Sequence, residues 1–324
     1  MKIQYKVLMI FFSFLCSSIL IAQVKISFTE PPLVPTLFQA GVVSTGIPER
    51  DFALSPDETE LFYTIQSPLG YFQTIVYMRK DLKGIWSNPQ IASFAGNYSD
   101  LEPTFSPDGK RLLFSSNRPL TGDKAKDFDI WYVEKQGDSW SAIPQNIGAP
   151  VNTEANEFYP SLTKSGNLYF TASYKNGVGR EDIYVAIWTA GKFNQPVALD
   201  TAVNTKVDEF NAFVSPDEDF ILFTSYGRKD DMGRSDLYIT QKDKSGNWQA
   251  AKHISILNSN RIDYCPFVSF DKKKMFFTSE RNILKQVFDK KVTLEDLEKT
   301  FRSPQNGSGD IYWISFDKVL ESLK

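Results

Sequence analysis

A carboxylic acid recurs at five equivalent places along the chain, each six residues before a short turn sequence that begins with Ser or Thr. Carboxylates can act as general acids or bases, bind a hard cation, or form ion pairs with Lys and Arg. The acids are 51 to 57 residues apart, which indicates one position in a repeated structural unit. The five residues are Glu49, Asp100, Glu157, Glu209 and Asp263.

The repeated unit consists of short apolar runs of strand length. In the second copy, residues 103–105 and 112–116 flank the turn Ser106-Pro107-Asp108-Gly109, whose composition suits a type I turn between two strands. Residues 129–133 and 140–147 supply a third and a fourth strand. Four short strands per copy predict one blade of a β-propeller. We designate the strands of a blade a to d, from the central channel of the propeller outward.

The fifth copy lacks its own fourth strand, because only residues 317–324 follow its third. Residues 38–43, which precede the first copy, have the matching pattern, so the N-terminal strand is expected to complete the last blade. This closure removes an exposed sheet edge. The sequence therefore predicts an all-β fold, a five-bladed β-propeller of four-stranded blades over residues 37–324, preceded by a lead segment at 23–36.

Residues 1–22 have the pattern of a secretory signal peptide: Lys2 and Lys6 precede an apolar run at 7–21, and Ala22 is a small residue at the cleavage point. We expect a periplasmic or secreted protein with no integral membrane span after cleavage. The net charge of −3 becomes more negative when both lysines are removed. An acidic chain without a basic stripe disfavours nucleic acid as a partner.

Each repeated acid begins strand a, the innermost strand, so the five are expected to crowd the channel mouth. Basic residues after strand b could neutralise them, and an Asp opens strand c at the same end of the blade. We therefore expect each base to bridge two carboxylates, except in blade one, where only Arg50 is available beside Glu49. The bases are Arg118, Lys175, Arg228 and Arg281, and the strand c acids are Asp129, Asp182, Asp236 and Asp310. If the five mouth acids instead have open oxygens, calcium is the cation expected.

An insertion at 283–306 separates strands b and c of blade five and contains a helix signature. Thr293 can cap a helix with Asp296 three positions later, and Leu294, Leu297 and Phe301 fall near one helical face. The helix is expected to be a lid packed on its neighbours, with a partner-binding helix as the alternative.

The sequence Leu-Phe-Ser-Ser-Asn-Arg at 113–118, preceded by the turn and followed by Asp-Ile-Trp at 129–131, resembles the WD40-like (PD40) β-propeller repeat of the periplasmic translocation protein TolB. The resemblance covers about residues 37–316. It implies a propeller that binds protein partners at the cell envelope. TolB has six blades and a separate N-terminal domain, whereas this chain has five repeats, so the role of TolB itself is not implied.

Two functions compete at the predicted channel mouth. The first is noncatalytic binding of an envelope protein or cell-wall glycan by the five repeated acids together with loop aromatics, which offer large contact areas. These aromatics are Tyr71, Phe72, Phe128, Tyr174 and Tyr226. The alternative is a glycan-active hydrolase, in which two of Glu49, Asp100 and Glu157 act as acid and base or nucleophile.

Other chemistry has little support in the sequence. His253 is the sole histidine, which disfavours a His-dependent triad and a transition-metal site. Cys265 is the one cysteine outside the signal peptide, and we expect a small buried side chain there. No Gly-rich phosphate loop is present, and we expect no cofactor.

Overall fold

The computed structural model describes residues 24–324, and these residues form a five-bladed β-propeller. The a strands contact one another in a ring around a central channel, and strands b, c and d follow outward in each antiparallel blade. The predicted all-β class, the five blades and the four-stranded blade plan are confirmed. The predicted signal peptide lies outside the described residues.

The strand bounds repeat closely from blade to blade. Blade one has strands a to d at Glu49–Leu54, Glu60–Gln66, Gln73–Arg79 and Gln90–Ile91. Blade two has them at Asp100–Phe105, Arg111–Ser116, Asp129–Gln136 and Gln145–Asn146. Blade three has them at Glu157–Leu162, Leu168–Ala172, Asp182–Ala186 and Val197–Ala198. Blade four has them at Asp208–Val214, Phe220–Tyr226, Asp236–Gln241 and Lys252–His253. Blade five has them at Asp263–Val268, Lys274–Ser279, Asp310–Ser315 and Thr36–Leu37.

Shorter elements extend this plan. Strand c of blade two also pairs with Ser139–Trp140, and blade three has an extra hairpin of Trp188–Thr189 with Lys192–Phe193. A 3₁₀ turn occupies Pro68–Gly70. The a–b and c–d turns lie on the face opposite the b–c and d–a loops, so each blade has a turn face and a loop face.

The a–b turns explain the repeated Ser-Pro-Asp sequence. The hydroxyl of Ser55 accepts a hydrogen bond from Glu60 N at 2.9 Å, and that of Ser106 accepts one from Arg111 N at 2.9 Å. The fourth turn residue has a positive φ, 55° at Glu58 and 69° at Gly109. This combination is a type I turn followed by a left-handed residue, which suits the twist of a hairpin.

The N-terminal strand closes the ring as expected, but it lies earlier than the sequence pattern suggested. Thr36 pairs with Trp313 and Leu37 with Tyr312, on the open edge of blade five. The prediction of 38–43 was wrong because the chain turns after Phe38, where Gln39 and Gly41 both have positive φ. Phe38 is fully buried, with its ring 5.2 Å from Phe52 of blade one and 5.2 Å from Phe276 of blade five. Aromatic packing therefore seals the junction between the first and last blades.

Two helices lie outside the blades. Helix α1, Leu294–Phe301, begins where the capping pattern predicts, with Asp296 N donating to Thr293 Oγ1 at 3.1 Å. Leu294 and Phe301 are 72% and 56% exposed and Leu297 is half-buried, so most of the apolar face that was expected to pack on neighbouring residues is exposed. The sequence did not predict α2, Phe316–Glu321, whose Phe316 is buried with its ring 5.0 Å from that of Phe220.

Candidate functional site

Each of the five repeated acids is the first or second residue of strand a, but each side chain is enclosed within its own blade. Their exposed fractions do not exceed 1%. The backbone N–H of the residue four positions earlier donates to each carboxylate, which ties the d–a loop to strand a. The five donors are Thr45, Gly96, Thr153, Thr205 and Ser259. The expected crowding of these acids at the channel mouth is therefore wrong, because the loop directs each carboxylate into the blade.

Three of the acids have an arginine partner with a repeated geometry. In blade two, Arg118 pairs with Asp100 at 2.5 Å and donates to Phe94 O at 3.0 Å. Its guanidinium group lies over the Phe114 and Trp131 rings, at 5.1 and 5.5 Å from their centroids. Burial raises the pKa of Asp100, and Arg118 opposes this effect. The arginine thus compensates a buried charge and also packs in the blade.

The same arrangement recurs in blades four and five. Arg228 lies 2.8 Å from Glu209 and stacks over Phe223 and Tyr238. Arg281 lies 3.5 Å from Asp263. Burial also raises the pKa of Asp263, and again the arginine opposes it.

The bases do not bridge to the strand c acids as expected. The remaining N–H groups of each arginine reach a backbone carbonyl of the preceding d–a loop instead, such as Val203 O at 2.7 Å from Arg228. The strand c acids have other donors, including Lys126 for Asp129, the backbone N–H of Val178 for Asp182, His253 for Asp236 and the backbone N–H of Gln305 for Asp310. Lys175 is exposed and forms no ion pair within residues 24–324, so its predicted pairing with Glu157 is wrong.

Glu49 and Glu157 are buried carboxyls without a basic partner among the described residues. Thr45 donates to Glu49 through its hydroxyl, at 2.5 Å, and through its backbone N–H, at 3.0 Å. Burial raises the pKa of Glu49 to about 8. Thr153 holds Glu157 in the same way, and burial raises its pKa to about 7. Arg50 does not pair with Glu49, because its guanidinium group pairs with Asp51 and Glu102.

A second position that recurs once in each blade lies in the channel, and it was not predicted from the sequence. The residue two places after each repeated acid has a positive φ of 50° to 61°, and each a strand has a register shift at this point. This is a β-bulge, which redirects a side chain. The five residues are Asp51, Glu102, Tyr159, Asn211 and Cys265, and all are at most 8% exposed. Together with Arg50 we call them the channel cluster.

Hydrogen bonds join the members of the channel cluster across blades. Arg50 Nε donates to Asp51 Oδ1 at 2.9 Å, and Arg50 Nη2 donates to Glu102 Oε1 at 3.2 Å. Asn211 Nδ2 also donates to Glu102 Oε1, at 3.3 Å, and the backbone N–H of Tyr159 donates to Glu102 Oε2 at 2.7 Å. Burial and the nearby Asp51 raise the pKa of Glu102 to about 7, while Arg50 opposes that rise. Polar contacts between blades therefore fill the centre of the channel.

A cavity of about 420 Å³ opens above the channel cluster on the loop face. We call it the mouth cavity. Its walls include the residue directly after each repeated acid, namely Arg50, Leu101, Phe158, Phe210 and Tyr264. Phe128 also lines it, with its ring 5.0 Å from that of Phe158, together with Gln73, Glu181 and Glu280. The floor is formed by Glu102 and Asn211.

Of the predicted site residues, Phe128 alone lines this cavity, and none of the five repeated acids does. Tyr71, Phe72 and Tyr226 are exposed on the loop face, at 84%, 40% and 49%. Tyr174 packs on Tyr184 and donates from its hydroxyl to Val151 O at 2.9 Å. The residue directly after each repeated acid lines the mouth cavity, and the residue two places after it belongs to the channel cluster. No pattern of residue type marks them, however, because their side chains differ from blade to blade.

Two further features concern the described residues as a whole. Within residues 24–324, no helix is long and apolar enough to cross a membrane. In that same part of the chain, no three His, Cys, Asp or Glu side chains converge as they would around a metal ion.

Comparison with solved structures finds proteins that are similar to this one over most of their length. A solved BT0996 RGII complex matches with a TM-score of 0.54 and 7% identity, over 87% of this protein and 92% of that one. A putative TolB from Agrobacterium tumefaciens matches at a TM-score of 0.47 and 16% identity, over 83% and 90% of the two proteins. An α-L-arabinofuranosidase from Lactobacillus brevis matches at 0.47 and 12% identity, over 85% and 92%.

These identities are low, so the similarity concerns the fold alone. No family model matches the sequence, and no curated protein sequence is detectably similar to it. Together, the ring of a strands, the closure by the N-terminal strand and the polar channel define a five-bladed β-propeller with a cavity on its loop face.

Proposed function

We propose that this protein is a noncatalytic binding module of the periplasm or cell exterior, which holds an envelope protein or cell-wall component in the mouth cavity. The observation that carries this proposal is the cavity itself, with aromatic walls above a channel filled by polar side chains. Concave sites with aromatic walls and a few polar groups are typical ligand sites. The predicted signal peptide at residues 1–22 and the resemblance of the repeats to those of TolB support the proposed location.

The glycan-active alternative requires two carboxyls that reach a sugar from opposite sides of its scissile bond. Glu49, Asp100 and Glu157 are at most 1% exposed and do not line the mouth cavity, so they give that alternative little support. Glu102 and Glu181 do line the cavity, and burial raises the pKa of each, a property that a proton donor would need. Hydrolysis therefore remains an outcome to be tested.

The proposal can be tested by crosslinking the tagged protein in native envelopes and identifying what is captured by mass spectrometry. The Phe158→Ala variant removes an aromatic wall of the cavity, and Trp188→Ala removes a partly exposed aromatic of the turn face as a matched control. We expect Phe158→Ala, and not Trp188→Ala, to lose a reproducible partner. Equal capture by both variants would contradict a site at the channel mouth, and release of sugars from an oligosaccharide panel would favour the hydrolase.

A further inference from the structure

The mouth cavity contains hydrogen-bond acceptors for which the protein supplies no donor. Glu181 and Glu280 line it from blades three and five, and neither carboxylate accepts a hydrogen bond or ion pair within residues 24–324. Gln73 also lines it, and its buried Oε1 has no partner in the same range. Glu181 and Glu280 are half-buried and open to the cavity, so a ligand that displaces water from their carboxylates should bring hydrogen-bond donors of its own.

The charged residues around the cavity also favour a ligand that brings hydrogen-bond donors. Arg50 is the one basic residue in the lining, and it already pairs with Asp51 and Glu102 on the floor. Burial raises the pKa of Glu280, opposed by Arg234, Arg261 and Arg50, none of which lies within ion-pair distance of it. Burial and the neighbouring Asp208 raise the pKa of Glu181, while Arg180 opposes them from its own ion pair with Asp208. The lining therefore has more carboxyls than the single lining base can neutralise.

The walls between these carboxyls are aromatic. Phe128, Phe158, Phe210 and Tyr264 line the cavity, and the face of an aromatic ring attracts a cation through its quadrupole. The same Tyr264 ring already has the guanidinium group of Arg50 5.3 Å from its centroid. Carboxylates combined with aromatic faces suit an organic cation, which can donate hydrogen bonds and stack at the same time.

We propose that the mouth cavity binds an organic cation, a protonated amine or a guanidinium group, between Glu181 and Glu280 and against the Phe128 and Phe158 rings. This inference rests on the proposed binding function and specifies its ligand chemistry. The cation can belong to a Lys or Arg side chain of a partner protein or to a free amine, since both present the same group to the cavity.

The test is direct titration of the purified protein with n-butylammonium and n-butylguanidinium, monitored by ligand-observed NMR, with n-butanol and butyrate as neutral and anionic probes. A short capped peptide with one central Arg, compared with its norleucine counterpart, separates a protein source from a free amine. We expect both cations to bind and the neutral and anionic probes not to. Tighter binding of the Arg peptide than of butylguanidinium would identify a protein ligand, and equal binding a free amine.

Glu181→Gln and Glu280→Gln should each weaken binding of the cations by about tenfold, because a charge-assisted hydrogen bond becomes a neutral one. Asp138→Asn, the same change at an exposed acid on the turn face, should leave it unchanged. Near-ultraviolet circular dichroism checks that each variant is folded. Butanol binding as tightly as butylammonium, full cation binding by both Gln variants, or no cation binding at millimolar concentration would overturn the inference. The envelope crosslinking experiment would still test the binding module independently.

Discussion

Arg50 Nη2 lies 3.2 Å from Glu102 Oε1, although the two residues belong to adjacent blades and are 52 positions apart in the sequence. The same guanidinium group also pairs with Asp51, so one base compensates two carboxylates at the centre of the channel. Both carboxylates are buried, which makes the ion pairs sensitive to the removal of either partner.

Replacing Arg50 with Met should therefore destabilise the protein by about 3–5 kcal/mol, because two buried carboxylates lose their counter-charge. The measurement is urea unfolding at pH 7. Arg180→Met is the matched control, because the side chain of Arg180 is 77% exposed in its pair with Asp208, and exposed pairs contribute about 0–1 kcal/mol. Equal losses in both variants would show that the channel cluster does not join the blades as described.

Glu49 should make the stability of the protein fall as the pH rises. Burial raises its pKa to about 8, so the folded protein keeps a proton that the unfolded state releases near pH 4.3. Between those values the folded state binds more protons, and the free energy of unfolding decreases with pH until it levels off above about 8. Glu49→Gln cannot ionise, so the advantage of this variant over the native protein should grow from pH 5 to pH 9. Parallel pH profiles for the two proteins would contradict the assignment.

Glu209 and Glu157 occupy the same position in adjacent blades, but only Glu209 has an arginine partner. Glu209→Gln leaves Arg228 without its carboxylate and should cost about 3–5 kcal/mol. In Glu157→Gln the amide oxygen can accept from Thr153 N and the amide NH2 can donate to the Thr153 hydroxyl, so the stability should change by no more than about 1 kcal/mol at pH 7. Thermal unfolding of the two variants compares them directly, and a larger loss in Glu157→Gln would reverse the expected order.

Closure of the ring should depend on Phe38. Phe38→Ala removes a fully buried ring between Phe52 and Phe276 and should cost about 3–5 kcal/mol. Tyr71→Ala removes an 84% exposed ring from blade one and should stay within about 0.5 kcal/mol. Chemical denaturation gives both values. If Phe38→Ala were as stable as Tyr71→Ala, closure would depend on strand pairing alone.

The sequence predicted the blades because each carries the same turn and strand pattern, and strand pairing follows from that pattern. It predicted the wrong surroundings for the repeated acids because the d–a loop decides where their side chains point. The hydrogen bond from Thr45 N to Glu49 is one example, and this loop geometry has no simple composition. The bulge at Asp51 was invisible for a similar reason, since a positive φ at five dissimilar residues leaves no common residue type.

We propose that the mouth cavity is the surface that binds the partner. A photocrosslinking amino acid can be placed at Phe158 in the cavity and, separately, at Lys110 on the turn face, and cells that make each form can then be irradiated. We expect a discrete adduct from position 158 that is absent from position 110. Adducts from position 110 and none from position 158 would contradict the claim.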